Sequence, residues 1–228
     1  VESKNDKVFI EALVKFMNLQ NIEVETPICK IDDYECMGGL DHKKLKQALN
    51  EILKRLKTEE VKSIGIILDD DGKKKKRLRM INNAAKDVFN IQEEFSDTGY
   101  FIEVPLELDI DDKIKINLGC YLLNVDGKGE LETLLKAIKC EESVYADCLE
   151  KWRDCLESKG EKISIKEFNK LWVHNYIRWD TCSKQERKQA YRKCSIANFE
   201  YIMQNKSYIW NFDDKLLDGL KNFINLFQ

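Results

Sequence analysis

Residues 61 to 68, VKSIGIIL, form a short run rich in β-branched residues that passes directly into three consecutive aspartates, Asp69, Asp70 and Asp71, then Gly72 and a block of cations. A continuous apolar run of this length is the pattern of a strand buried on both faces, the kind found in sheets with parallel members and helical cover. The aspartates pose a separate problem. Like charges at close range repel, so packing them together gains a domain no stability, and a positive charge from outside the chain is expected to neutralise them.

The remainder of the chain alternates in a way that suits such a sheet. Asn5 can cap a helix whose apolar positions Val8, Phe9, Ala12, Leu13, Phe16 and Met17 follow the helical period. Ile22 to Ile31 is a short β-like run containing Pro27, and amphipathic helices are expected over His42–Leu56 and Lys73–Asn90. Val1 stands directly before a helical pattern, which predicts that the sequence begins at the end of a first strand. Strands alternating with helices predict an α/β fold with right-handed crossovers. Tyr100–Val104 and Ile114–Leu123 break the alternation, since only the acidic segment LELDIDD separates them, and an antiparallel edge or hairpin is expected there. After a turn at Asp126 and Gly127, GELETLLKAI opens a helix with Glu130 and Glu132 in its first turn. From Glu141 onward the pattern is helical, with aromatic faces carrying Trp152, Phe168, Trp172, Tyr176, Trp179, Tyr191 and Phe199 that read most simply as core, though any exposed rings could stack bases. FDDKLLDGLKNFINLF reads as one amphipathic helix, with Phe212 and Asp213 near its start. With no repeat, low-complexity linker or hinge, residues 141–228 are expected to pack as a helical extension on a core of residues 1–140.

The chain has 228 residues, of which 35% are charged and 43% hydrophobic, enough for a core of its own. No apolar run approaches the length of a membrane span and no cationic-then-apolar leader opens the sequence, so a cytoplasmic location is expected. Eight cysteines without a CxxC pair then read as buried reduced thiols, and His42 and His174 stand apart from any thiol cluster that would make a zinc site. The formal net charge of -3 excludes binding of nucleic acid by bulk charge. Local blocks remain: six cations lie between Lys73 and Arg79, and five between Ser183 and Cys194 against Glu186 alone. Either block can meet phosphate.

Parallel strands aim their C-terminal ends at a common edge, where open α/β folds bind ligands. Glu2 closes the first strand, Asp69 to Asp71 close the next, and Glu130 and Glu132 follow the strand ending near Asn124, so three exits deliver acids to one place. Asp69 and Asp71, two apart in an extended exit, point to one side, while Asp70 faces solvent or caps a helix. Glu2 and Asp6 sit four apart across a strand-to-helix turn. Several carboxylates converging on one point suit a hard divalent cation such as Mg²⁺ or Mn²⁺. Lys4, Lys73, Lys74 and Lys75 would then face a phosphodiester.

VESKND before an amphipathic helix, IGIILDDDG, and YLLNVDGKGELETLL together resemble the Toprim domain, with its glutamate-bearing turn and later D-x-D. The order of motifs, with NKLWVHNYIRW and DGLKNFINLF behind them, looks like small stand-alone Toprim proteins akin to the OLD-family nucleases and the ribosomal RNA maturase, and covers most of the chain. The resemblance implies a Toprim-like sheet flanked by helices, mostly parallel with an antiparallel edge, and residues 1–140 as the metal-binding catalytic domain. It implies Glu2, Asp69 and Asp71 as catalytic residues; Glu2, Asp6, Asp69, Asp71 and Glu132 as ligands to two Mg²⁺ or Mn²⁺ ions; and Lys170 as a lysine that stabilises the transition state. The implied activity is a nuclease acting on DNA or RNA. The implied partner is a separate ABC-type ATPase, often in phage defence, since the chain has no G-x-x-x-x-G-K-[ST] loop, and a homodimer is admissible. Ser3 departs from the family's glycine, Asp71-Gly72 lacks the Arg-Glu continuation of topoisomerases, and no tyrosine-bearing cleavage domain is recognisable, so topoisomerase activity is not implied. A non-catalytic Toprim scaffold or regulatory module that binds nucleic acid or a partner protein is the rival. The plain readings also stay open: an acidic turn at 69–71, first-turn acids favoured by the helix dipole at 130 and 132, a solvated helix face at 73–79 and a packed His174.

Overall fold

The computed structural model describes residues 1–29, 39–109, 112–127 and 129–228, without the side chains at 108, 109, 112 and 113. Cys36, the end of the Ile22–Ile31 run and residues 110–111 between the two β-like runs lie outside the described residues. In chain order the elements are α1 (Lys4–Phe16), α2 (His42–Arg55), β1 (Ser63–Asp69), α3 (Lys74–Phe89), β2 (Phe101–Asp109), β3 (Asp112–Leu123) and α4 (Leu131–Ala137). Then follow α5 (Val144–Ser158), α6 (Ile165–Asn175), α7 (Lys184–Arg187), α8 (Ala190–Lys193), α9 (Phe199–Lys206) and α10 (Asp218–Asn225).

The described sheet has three strands in the order β1-β3-β2. β1 runs parallel to β3, from Ser63 opposite Asn117 to Asp69 opposite Leu123, and β2 pairs antiparallel with β3, as the spacing between the two runs anticipates. The expected mostly parallel sheet is thus one parallel and one antiparallel pairing among the described residues. Alternate side chains of β1 enter different cores, as a strand covered on both faces requires. Ile64, Ile66 and Leu68 join a cluster with α2 and α3, while Ile67 joins Leu123 and residues of α1, α4, α6, α9 and α10. Residues 22–29 form no strand, yet Ile28 and Cys29 donate backbone N–H bonds to the carbonyls of Val1 and Glu2 (3.1 and 2.9 Å) and so fix the segment that carries Glu2.

Two glycines let the end of the chain lie close to the sheet. Gly65 and Gly119 face each other across β1 and β3. A Cβ on Gly65 would fall 2.5 Å from the Phe227 ring, and one on Gly119 would fall 2.5 Å from Phe101 and 2.8 Å from Phe223. Phe101 meets Phe223 and Phe227 edge-on, and Tyr121 stacks on Phe223 at 5.6 Å. The tail therefore packs onto the sheet through aromatic rings that need backbone on the opposite side.

Three expectations are corrected. The final amphipathic run starts later than its sequence suggests, because the Asp214 side chain accepts from Leu216 N–H and caps a single 3₁₀ turn, Lys215–Leu217, ahead of α10. Cys182 and Cys194 are disulfide-bonded, and Cys140, Cys148 and Cys155 are exposed, so the thiols are not uniformly buried and reduced. The chain reverses between α6 and α9 and brings the Cα atoms of the bonded pair to 6.2 Å. Of the aromatic faces, Phe168, Trp172, Tyr176 and Phe199 are core, but Trp152, Trp179 and Tyr191 are exposed. Among the described residues no helix is long and apolar enough to cross a membrane.

Candidate functional site

The ends of β1 and β3 leave the sheet at one edge, and backbone hydrogen bonds hold their exits together. Asp70 N–H donates to the Leu123 carbonyl and Asp71 N–H to the Gly129 carbonyl, each at 3.0 Å. The Leu131 N–H, at the start of α4, donates to Asp69 Oδ1 at 3.2 Å. On the other flank, Ser3 and Asp6 cap α1 reciprocally, Asp6 accepting from Ser3 N–H at 2.7 Å and donating its own N–H to Ser3 Oγ at 3.2 Å. Serine in place of the resembled family's glycine therefore has a local use, satisfying a helix N-terminus.

These constraints gather acids around a cavity of about 240 Å³ lined by Glu2, Asp6, Asp69, Glu130 and Glu132, with Lys166 and Lys170 from α6. α6 is placed by its packing on α4, where Asn169 donates to Thr133 Oγ1 at 2.9 Å and Phe168 and Trp172 are buried. A larger groove of about 470 Å³ along α1 is lined by Lys7, Glu11, Lys15 and Glu23 among others, all of them solvent-accessible, so the chemistry concentrates in the smaller cavity.

Burial and mutual repulsion raise the proton affinity of Glu2, Asp6, Asp69 and Glu132. Asp69 is pushed up to about 9 by burial and by the neighbouring Asp6, Glu2, Glu132 and Glu130. Glu2 and Asp6 are raised chiefly by burial, and Glu132 by burial and Glu130. Two buried oxygens at the site, Glu130 Oε1 and Glu2 Oε2, have no hydrogen-bond partner. Glu130 is only 2% exposed, although its position at the N-cap of α4 looks like an ordinary first-turn acid in the sequence.

Asp71 is set apart from the other acids. Its φ of 53° and that of 67° at Gly72 turn the chain out of the extended course, so Asp69 and Asp71 do not point to one side as their spacing suggests. Asp71 stands beside the cavity without lining it, its oxygens bound by Arg77 at 2.9 Å and Lys166 at 3.2 Å. Partial burial works against ionisation there, but Lys166 and Arg77 prevail and hold the carboxyl below its usual range. Asp70 does not face solvent: it is 1% exposed and its Oδ1 accepts from Lys73 N–H at 3.0 Å across the turn.

Of the cations expected to meet phosphate, Lys170 lines the cavity, whereas Lys4, Lys73 and Lys75 are exposed outside its lining and Lys74 pairs with Asp97 at 2.7 Å. Two cations at the site were not foreseen. Arg77 reaches Glu2 at 3.2 Å as well as Asp71, and Lys166 reaches Glu130 at 2.7 Å. Lys166 lies one helical turn before Lys170, so a helix face that brings one to the site brings the other. His174 is half-buried, outside the cavity lining, and held low by burial and by Arg178.

The donor set is hard oxygen and suits a Mg²⁺- or Mn²⁺-type ion, and the unpartnered Glu130 Oε1 fits it. Among the described residues, no three His, Cys, Asp or Glu side chains already stand in a ligand arrangement, the acids being partly paired with Arg77 and Lys166 instead. No curated protein and no solved structure gives a significant match to the chain. One family model does match, along residues 1–228, and the chain belongs to that family, described as a protein of unknown function (DUF3226).

Proposed function

We propose that the protein is a divalent-metal-dependent nucleic-acid phosphodiesterase of the Toprim type, an endonuclease built on a Toprim-like sheet. The observation that carries this reading is the convergence of Glu2, Asp6, Asp69, Glu130 and Glu132, from three separate segments, on one small cavity beside Lys166 and Lys170. Nothing in the core calls for five acids there, and the raised Asp69 records how unfavourable their proximity is without a further cation.

Asp69, Glu2 and Asp6 would hold Mg²⁺ or Mn²⁺, with Glu130 and Glu132 on the α4 side. When bound, such an ion activates water and offsets charge at a phosphoryl group. Lys170 and Lys166 would orient the phosphodiester on the opposite wall, and Glu2, half held by Arg77, can alternatively carry a proton as general acid or base. A separate ABC-type ATPase remains a proposed partner on the resemblance alone.

One observation favours a non-catalytic Toprim scaffold. Arg77 and Lys166 already neutralise Glu2, Asp71 and Glu130 in part, as a site without metal would need. Cleavage of supercoiled plasmid, single-stranded DNA and tRNA with Mg²⁺ or Mn²⁺, comparing wild type with Asp69→Ala/Asp71→Ala, separates the two. Metal-dependent cutting that vanishes in the double variant is expected. No cutting together with no calorimetric binding of Mn²⁺ would leave the scaffold.

A further inference from the structure

The cations between α6 and α9 form a second charged region that the cavity does not use. From Arg178 to Lys193 the sequence places six cations, Arg178, Lys184, Arg187, Lys188, Arg192 and Lys193, against two acids, Asp180 and Glu186. Both acids are engaged elsewhere. Asp180 accepts from the backbone N–H groups of Tyr145 and Ala146 at 2.9 and 3.0 Å, at the start of α5. Glu186 binds the Nζ of buried Lys206 at 2.8 Å and accepts from Ser183 N–H at 2.8 Å, and those bonds draw its carboxyl down to about 2. No ion pair joins any of the six cations to an acid among the described residues.

Exposed rings stand among these cations. Trp179 lies in a π-helical turn, Tyr176–Asp180, that continues α6, a distortion often found at functional positions. The residue is 40% exposed, and its ring is flanked by the Tyr145 ring at 6.1 Å and by the guanidinium groups of Arg187 and Arg178 at 5.1 and 5.6 Å. Tyr191, in α8 between Lys188 and Arg192, is 77% exposed. The Cys182–Cys194 disulfide closes the segment that carries α7 and α8.

We propose that this face binds single-stranded nucleic acid, with bases stacking on Trp179 and Tyr191 and phosphates meeting Lys184, Lys188 and Arg192. Flat rings interleaved with uncommitted cations are what a single strand requires, because every base offers a face to stack and every linkage a negative charge, whereas a duplex keeps its bases stacked on one another. The proposal rests on the phosphodiesterase reading and deepens it by naming the form of the substrate. α6 runs from Lys166 and Lys170 at the cavity directly into the Trp179 turn, roughly 13–20 Å on at the helical rise. A strand held at the face can therefore reach the acids within a few nucleotides.

The test is fluorescence anisotropy of a labelled oligothymidylate and of a duplex of equal length, in EDTA so that cleavage plays no part. Wild type is expected to prefer the single strand. Trp179→Ala/Tyr191→Ala should weaken binding by about tenfold or more. Lys188→Ala/Arg192→Ala, at exposed positions that do not endanger folding, should reduce the slope of log affinity against log salt by about 0.7 for each phosphate no longer neutralised. Equal binding by wild type and the Lys188→Ala/Arg192→Ala variant, or duplex binding as tight as single-strand binding, overturns the proposal. So does failure of wild type to bind the strand at all, which would assign the face to an acidic protein surface. Strand binding without cleavage and without calorimetric binding of Mn²⁺ would sink the phosphodiesterase and leave the docking face, and cleavage indifferent to the face variants would do the reverse.

Discussion

The acid cavity and the basic face beyond α6 each concentrate charge of one sign, but they do so at very different depths. In the cavity, Asp6 and Glu130 are each 2% exposed, and their repulsion and that of Asp69 act through protein where water screens little. On the basic face Lys184, Lys188 and Arg192 are exposed, so their mutual repulsion is screened and carries little cost. Buried like charge is unfavourable enough to indicate a missing counter-ion, whereas exposed like charge indicates little until its local acids are seen to be engaged elsewhere. Energetics therefore marks the cavity, and the prior engagement of neighbouring acids marks the basic face.

The largest effect that distinguishes the two regions should come from pH. An unfolded aspartate titrates near 4, and folded Asp69 near 9. Between those values the folded state keeps a proton that the unfolded state has released, so this contribution is fully present below about 4 and is lost as pH rises toward 9. Thermal melts of metal-free protein from pH 5 to 9 should show falling stability, with a shallower fall in Asp69→Asn. Parallel curves for the two would mean that the cavity acids are not strained.

A smaller effect is expected from removing a cation at the cavity. Lys166→Met leaves Glu130, whose side chain is 3% exposed, without its ion-pair partner, and takes one of two from Asp71. A fully buried pair broken in this way costs about 3–5 kcal/mol, but the Lys166 side chain is 50% exposed, so about 1–2 kcal/mol is expected by urea unfolding at pH 7. The least effect is expected on the basic face, where Lys188→Ala/Arg192→Ala should change stability by no more than about 0.5 kcal/mol. If the surface pair proved as costly as Lys166, the contrast in depth would be lost.

The parts of this arrangement that the sequence disclosed are those set by local rules. The apolar run before Asp69 marked a two-sided strand, the short spacing between residues 104 and 114 marked a hairpin, and the acids at 2, 69 and 132 marked the place where they meet, although the strand expected to end at Glu2 is not formed there and only Asp69 sits at a strand end. What it concealed depends on contacts distant in the chain or on a single dihedral angle. The positive φ at Asp71 breaks the two-residue alternation that would have aligned it with Asp69. Arg77 lay unremarked within a run of similar cations because no local pattern tells which member turns inward. Which aromatic rings are exposed, Trp179 and Tyr191 among them, was not legible because a buried and a solvent-facing ring have the same helical spacing. The Cys182–Cys194 bond depends on a chain reversal that composition does not encode.

The paired glycines bear on the order in which the molecule can be completed. Gly65 and Gly119 are neighbours in the parallel ladder, and the rings laid against them, Phe223 and Phe227, come from more than a hundred residues later. During synthesis β1 and β3 leave the ribosome with the part of that side around Gly65 and Gly119 uncovered, and α9, which packs on α1, is also still to come. Chains usually gain stability domain by domain from the N-terminus. Here the N-terminal sheet can finish folding only after the C-terminal rings are released, so nascent chains arrested before Phe223 should be held by chaperones or cleared by proteases.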